Sequence, residues 1–117
     1  TLDYTRERTT FGNAIFDYQN TQFKLAECKA DWMAARAMVD QLTQQLMDGE
    51  LDANTAAAAK FWCTERENEV IDTCLQFFGG WCYMDEYPIS RMYTDARVQR
   101  IYGGSNEIMR MLVARSL

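Results

Sequence analysis

Leu25, Cys28, Trp32, Ala35, Val39, Leu42 and Leu46 recur at alternating intervals of three and four residues. A stripe of that period has to lie along one side of a long helix and be covered by something else. It predicts a helix from about Tyr18 to Asp48, roughly 45 Å long at 1.5 Å per residue. Gly49 ends it in the position that favours a left-handed backbone. After a short connection, Gly49–Asp52, a second stripe follows: Ala59, Cys63, Val70, Cys74 and Phe77. It predicts a helix from about Ala53 to Phe78, opened by Asp52 or Asn54 as N-cap and closed by Gly79-Gly80. The run Ala56–Ala59 favours helix and permits close approach of a neighbour. So short a connection makes the two helices antiparallel partners.

The rest of the chain reads as shorter pieces around that pair. Residues 1–8 resemble the last turns of a helix, which suggests a piece of a longer chain. Thr9 to Asp17 reads as a connector with a turn at Phe11-Gly12-Asn13. Pro88 suits a first helical position and predicts a helix to Arg97 or beyond, with Asp95 and Arg97 facing solvent or an ion pair. A last helix spans about Ser105 to Ser116, with Met109, Leu112 and Val113 as its apolar face. No strand is expected. The fold class is all-α: an antiparallel, up-and-down four-helix bundle with two long helices and shorter C-terminal ones, one domain over residues 1–117.

Several functions are excluded by what is missing. The chain has no histidine, which removes Ser-His-Asp and Cys-His catalysis and the Glu-x-x-His di-iron bundle. A net charge of -5 offers no basic stripe for nucleic acid. No run of about 18 apolar residues exists to span a membrane. Cys28, Cys63, Cys74 and Cys82 include no Cys-x-x-Cys, so no metal site is expected. Three of them lie in apolar helical patterns and read as buried reduced thiols in a reducing compartment.

Between the last two helices stands Ile101-Tyr102-Gly103-Gly104-Ser105-Asn106-Glu107-Ile108. Two glycines permit close approach of a ligand to the backbone. Ser105 or Gly104 as N-cap would aim the first N–H groups of the next helix outward, suiting a polar or anionic ligand. An ordinary helix–Gly–helix break remains the alternative.

Taken in order, Arg8-x-x-Phe11-Gly12, Gln19, Leu75-Gln76-x-x-Gly79-Gly80, Glu86-Tyr87-Pro88-x-x-Arg91, Asp95-Ala96-Arg97 and Ile101-Tyr102-x-Gly104-Ser105-x-Glu107-Ile108 resemble the C-terminal domain of the acyl-CoA dehydrogenase family. The resemblance covers essentially the whole chain. Gly79 to Met84 and Tyr102 to Glu107 look most like the long-chain branch. The resemblance implies an N-terminal helical and a middle β-domain elsewhere. It also implies FAD as cofactor and α,β-desaturation of an acyl-CoA in fatty acid β-oxidation. In that chemistry a carboxylate removes the α-proton while the β-hydrogen leaves as hydride to the flavin. Electron-transfer flavoprotein would be the partner and a homo-oligomer, dimer or tetramer, the assembly. The compartment would be bacterial cytoplasm or mitochondrial matrix.

By the same resemblance, Arg8 and Gln19 match residues that contact FAD; a solvated helix-end charge and a helix-start surface residue are the plainer readings. Gln76, Phe77, Phe78, Gly79 and Gly80 match a segment along the FAD of a neighbouring subunit, or form a simple helix end. Ser105, Asn106 and Glu107 match residues beside the cofactor, Glu107 otherwise being a first-turn acid. Gly103 and Gly104 would meet the substrate. Trp81, Tyr83 and Tyr102 either line the pocket or only pack. Two departures stand out. Many members carry the catalytic glutamate where Gly103 stands, and glycine cannot take a proton. The resemblance to the long-chain and isovaleryl branches places the base upstream of Thr1. Thr94 replaces a usual arginine and puts one inter-helix ion pair in doubt. A paralogue with other or no flavin chemistry, or a non-enzymatic oligomerisation module, stays open.

Overall fold

A computed structural model describes residues 1–117 as five helices and one small hairpin. Helix α1 spans Leu2–Glu7, α2 Gln19–Met47, α3 Ala53–Phe77, α4 Pro88–Gln99 and α5 Asn106–Arg115. The molecule is elongated, 54 × 24 × 23 Å, because two helices of 29 and 25 residues set its long axis. Helix α3 is the hub: α2, α4 and α5 each pack chiefly against it.

The helix ends follow from local chemistry. Gly49 has φ +74, its N–H donates to the Leu46 carbonyl, and Glu50 N–H donates to the Gln45 carbonyl at 2.8 Å. This pair of reversed bonds satisfies the last carbonyls of α2. Asp52 caps α3, its carboxylate accepting the N–H groups of Asn54 and Thr55 at 2.8 and 3.0 Å. The Thr55 hydroxyl, first, and these N–H groups hold the Asp52 carboxyl below the usual carboxylate range. Pro88 occupies the first turn of α4, and Arg91 Nη1 donates to the Asp85 carbonyl, bracing the loop before it.

Small side chains make the close contacts. Ala57 in the alanine run and Ala96 in α4 are both buried. Asn68 Nδ2 on α3 donates to the Ala96 carbonyl at 3.0 Å, so a larger residue at 96 would push α4 away. Asp95 and Arg97 face solvent, and neither forms an ion pair.

The structure corrects three expectations. The connector contains strands after all: β1, Thr9–Thr10, pairs antiparallel with β2, Asn13–Ala14, in the register Thr9↔Ala14. Phe11 and Gly12 form the two-residue turn, with φ 52 and 85, the geometry that matches the twist of a tight hairpin. Second, the cysteines are free but half-buried, not buried. Third, the long apolar stripe is only partly covered. Leu25, Cys28, Ala35 and Leu42 are half-buried, whereas Trp32, Val39 and Leu46 are 55%, 45% and 65% exposed. Trp32, Ala35 and Val39 face Cys63, Val70 and α4 across an open groove of about 550 Å³. The period put them on one face correctly; within this chain nothing fills that face.

Candidate functional site

The candidate residues gather in two places on α3. One is its C-terminal end. Tyr4 of α1 stacks on Phe78 with ring centroids 4.0 Å apart and 14° between planes, and Tyr87 meets both edge-on. Arg8 lies beside this stack. Its Nη1 donates to the Tyr4 hydroxyl at 2.9 Å and to the carbonyls of Phe77 and Phe78 at 3.3 and 2.5 Å. A cation there answers the unpaired carbonyls and negative end of α3. Arg8 is therefore neither a solvated charge nor wholly committed, since its Nε and Nη2 donate to nothing in the chain. Gly79, at φ +57, leaves room for the guanidinium: a Cβ on it would stand 3.0 Å from Nη2.

Around that end, Gln76 and Gly80 are exposed, and no atom lies within 4 Å of where a Gly80 Cβ would be. The Phe78 side chain, by contrast, is buried under Tyr4, so only Phe77, half-buried, keeps ring surface for a ligand. Gln19 begins α2 and is exposed. The antiparallel run of α2 and α3 brings it to this same end of the bundle. Trp81, 51% exposed, packs on Tyr87 at 5.7 Å, while Tyr83 and Tyr102 stand 88% and 59% exposed.

The second place is the corner between α4 and α5, roughly 25 Å back along α3. Gly103 and Gly104 have φ +66 and +95, and no atom lies within 4 Å of a Cβ built on Gly103. Of the first N–H groups of α5, which the sequence expects to be free, one is taken by the chain itself. Asn106 N–H donates to the Arg100 carbonyl at 2.9 Å. The Glu107 carboxylate takes its own N–H, then the Ser105 hydroxyl, and is held below the usual carboxylate range. The N–H groups of Gly103, Gly104 and Ser105 also find no backbone acceptor, and neither do those of Glu107 and Ile108. Successive free amides in such a turn form a concavity suited to oxygen ligands. Ser105 is the N-cap but accepts no helix N–H.

Asn106 is corrected as a cofactor contact. Its side chain is 1% exposed. Lys60 Nζ donates to Oδ1 at 2.7 Å, and Nδ2 donates to the Thr64 hydroxyl and Glu65 Oε1, both at 2.9 Å. The amide is thus a buried junction of α5 with α3. Glu65 extends the junction, accepting from Arg110 at 3.1 Å and pairing with Arg100 at 3.0 Å. Its carboxyl sits below the usual range, first because Asn106 donates to it and then because Arg100 and Arg110 adjoin it. Lys60 Nζ also donates to the Gly104 carbonyl at 2.8 Å. Sequence reasoning missed Lys60, Thr64 and Glu65. The only hint was a set of polar residues four or five apart inside a helix.

The chain belongs to the acyl-CoA dehydrogenase family: the family model for the acyl-CoA dehydrogenase C-terminal domain matches residues 1–117. It is 47% identical over its whole length to the long-chain specific mitochondrial acyl-CoA dehydrogenase of Rattus norvegicus, covering 27% of that protein. Among solved structures it is similar to an acyl-CoA dehydrogenase from Geobacillus kaustophilus, with TM-score 0.95 and 36% identity over 98% of this chain and 30% of the other. It is also similar to butyryl-CoA dehydrogenase from Megasphaera elsdenii, with TM-score 0.94 and 32% identity over 98% of this chain and 30% of the other. The chain thus spans under a third of the length of these relatives.

Proposed function

We propose that residues 1–117 are the C-terminal helical domain of a larger FAD-dependent acyl-CoA dehydrogenase of long-chain type, which desaturates an acyl-CoA between its α and β carbons in fatty acid β-oxidation. The observation that carries this reading is the Gly103–Gly104 corner. It is open at Gly103, while the Met109 side chain packs against Gly104, and its backbone carries unpaired N–H groups. Such donors would hold a thioester carbonyl and stabilise the enolate-like charge that builds as the α-proton leaves. The 47% identity to the rat enzyme supports the long-chain assignment.

The residues fit FAD. Arg8 Nε and Nη2 remain for an anionic oxygen, with the fork geometry that suits a pyrophosphate. Gly79 and Gly80 allow close backbone approach, and Gln76, Phe77 and Gln19 offer polar and apolar surface beside them. Ser105 and Glu107 stand at the second place. FAD, when bound, supplies the hydride acceptor. Gly103 gives no base, so the α-proton goes to a carboxylate from a segment preceding Thr1. Because the two places are roughly 25 Å apart along α3, they serve different flavins or different ends of one, as expected for a site shared between subunits. Exposed Trp32, Val39 and Leu46 supply apolar surface for such a homo-oligomer, dimer or tetramer. Electron-transfer flavoprotein is the electron acceptor. No helix is long and apolar enough to cross a membrane, and bacterial cytoplasm or mitochondrial matrix is the proposed compartment.

The test is anaerobic mixing of the purified full-length protein with saturated acyl-CoAs of graded length. Bleaching of the flavin with formation of the 2-enoyl-CoA, fastest for long chains, is expected. A well-folded protein that carries no flavin, or whose flavin no acyl-CoA reduces, overturns the reading in favour of a binding module.

A further inference from the structure

We infer that Lys60 is a positioning residue for the acyl-thioester site: it fixes the direction of the amide donors at the Gly103–Gly104 corner and stands as a positive charge behind them. This rests on the proposed function of that corner. Lys60 lies in the first third of α3, on a different element from the corner it serves. Its Nζ reaches 2.8 Å to the Gly104 carbonyl and 2.7 Å to Asn106 Oδ1. No other side chain donates to the Gly104 carbonyl.

The consequence comes from peptide geometry. In a planar trans peptide the C=O and the following N–H point in opposite directions. Drawing the Gly104 oxygen in toward α3 therefore turns the Ser105 N–H out, on the side away from α3. Without that hold, the peptide between Gly104 and Ser105 can rotate, because glycine at φ +95 has ready access to other backbone angles. The rotated peptide would present a carbonyl oxygen where a donor stood, and would repel a thioester oxygen gaining negative charge. Asn106 fixes the other side of the clamp. It is buried and tied to Thr64 and Glu65, so Lys60 is anchored at one acceptor while it holds the other. The ammonium adds a second effect, since a fixed cation behind the corner favours the charge that develops in the transition state more than it favours neutral substrate.

The experiment uses the full-length flavoprotein with Lys60→Met, which keeps the length and helix propensity of the side chain and removes its donors and charge. Flavin reduction is followed with ordinary and α-dideuterated acyl-CoA. The expected result is flavin content close to wild type, a limiting reduction rate lowered by about tenfold or more, and a larger isotope effect. The isotope effect matters because loss of folded protein lowers the amplitude of bleaching but leaves the limiting rate and that ratio unmoved. Lys60→Arg, which keeps the cation but shifts the donors, is expected to show a smaller change in the same direction and serves if Lys60→Met does not fold. An unchanged limiting rate and isotope effect in whichever variant folds, with any loss confined to the bleaching amplitude, overturns the assignment. Absence of flavin reduction in the wild type would instead defeat the proposed desaturation and this inference with it.

Discussion

Arg8 and Gly79 fit together as a charge and the space made for it: the guanidinium Nη2 sits 3.0 Å from where a Cβ on Gly79 would be. Gly79→Ala is expected to destabilise the protein by about 1–2 kcal/mol, because the residue sits at φ +57 in a left-handed conformation unfavourable to other residues. The added methyl also crowds Arg8. Arg8→Ala removes a donor from the Phe77 and Phe78 carbonyls and is expected to cost about 1–3 kcal/mol. In urea denaturation the double variant should lose less than the sum, since the crowding disappears with the arginine. Strict additivity would show that the two residues do not act on each other.

Gly103→Glu tests the vacated base position. Space is open around it, so the penalty is confined to the backbone, about 1–2 kcal/mol for a non-glycine residue at φ +66. The full-length variant should fold and retain flavin. Where the upstream base has been neutralised, it should regain measurable flavin reduction. A variant that unfolds would mean that the corner is closed in the assembled protein.

Asn106→Ala opens the junction between α3 and α5. It strips Lys60, Thr64 and Glu65 of a partner in a site only 1% exposed at its centre. A loss of about 3 kcal/mol is expected, with the amides of α5 exchanging hydrogen before those of α2. Uniform acceleration of exchange along the chain would argue against a local junction.

Glu65 makes the same docking sensitive to acid. Its carboxyl lies below the ordinary range in the folded state, by the donation of Asn106 and the charges of Arg100 and Arg110. The unfolded state therefore binds its proton first as pH falls, and stability rises with pH through that interval. The contribution is present above the ordinary carboxylate pKa and is lost as pH drops through the folded value. Limited proteolysis near pH 4 should cut around Ser105 earlier than at pH 7. Glu65→Gln should flatten that pH dependence.

Cys28 predicts the opposite limb. Burial first, then its neighbour Cys74, pushes its thiol up to about 11 from 9.0. Here the folded state keeps its proton longer than the unfolded one, so this contribution is full below pH 9 and disappears as pH rises through about 11. Alkylation by iodoacetamide at pH 8 should accordingly spare Cys28 relative to its rate in urea. Equal rates in the two states would contradict the partial burial of this thiol between α2 and α3.

Much of the scaffold was readable because its boundaries are made by residues with few alternatives. Gly49, Asp52, Gly79 and Pro88 each end or begin a helix where their backbone chemistry predicts. The hairpin at Thr9–Ala14 escaped notice because two residues per strand show no alternation, and Phe11 adopts a left-handed angle that only its turn partner Gly12 hinted at. The corner at Gly103 was legible from its glycines, but the inward turn of Asn106 was not. Ser105 and Asn106 look like the start of a ligand-facing helix. That Asn106 turns inward depends on α5 lying against α3, which no local pattern records. Lys60, Thr64 and Glu65 were invisible for the same reason: along α3 they resemble a wetted face. The stripe through Trp32 and Val39 was read correctly as a face needing cover, although its cover is not within these residues.

Only eight of the 117 residues are buried, and the uncovered aromatic and aliphatic side chains have a thermodynamic consequence. Whatever seats itself on Trp32, Val39 and Leu46 binds the folded chain and not the unfolded one, so mass action raises the melting temperature with the concentration of that covering surface. Heat resistance is then a property shared with neighbours, and dilution weakens it without altering a single residue.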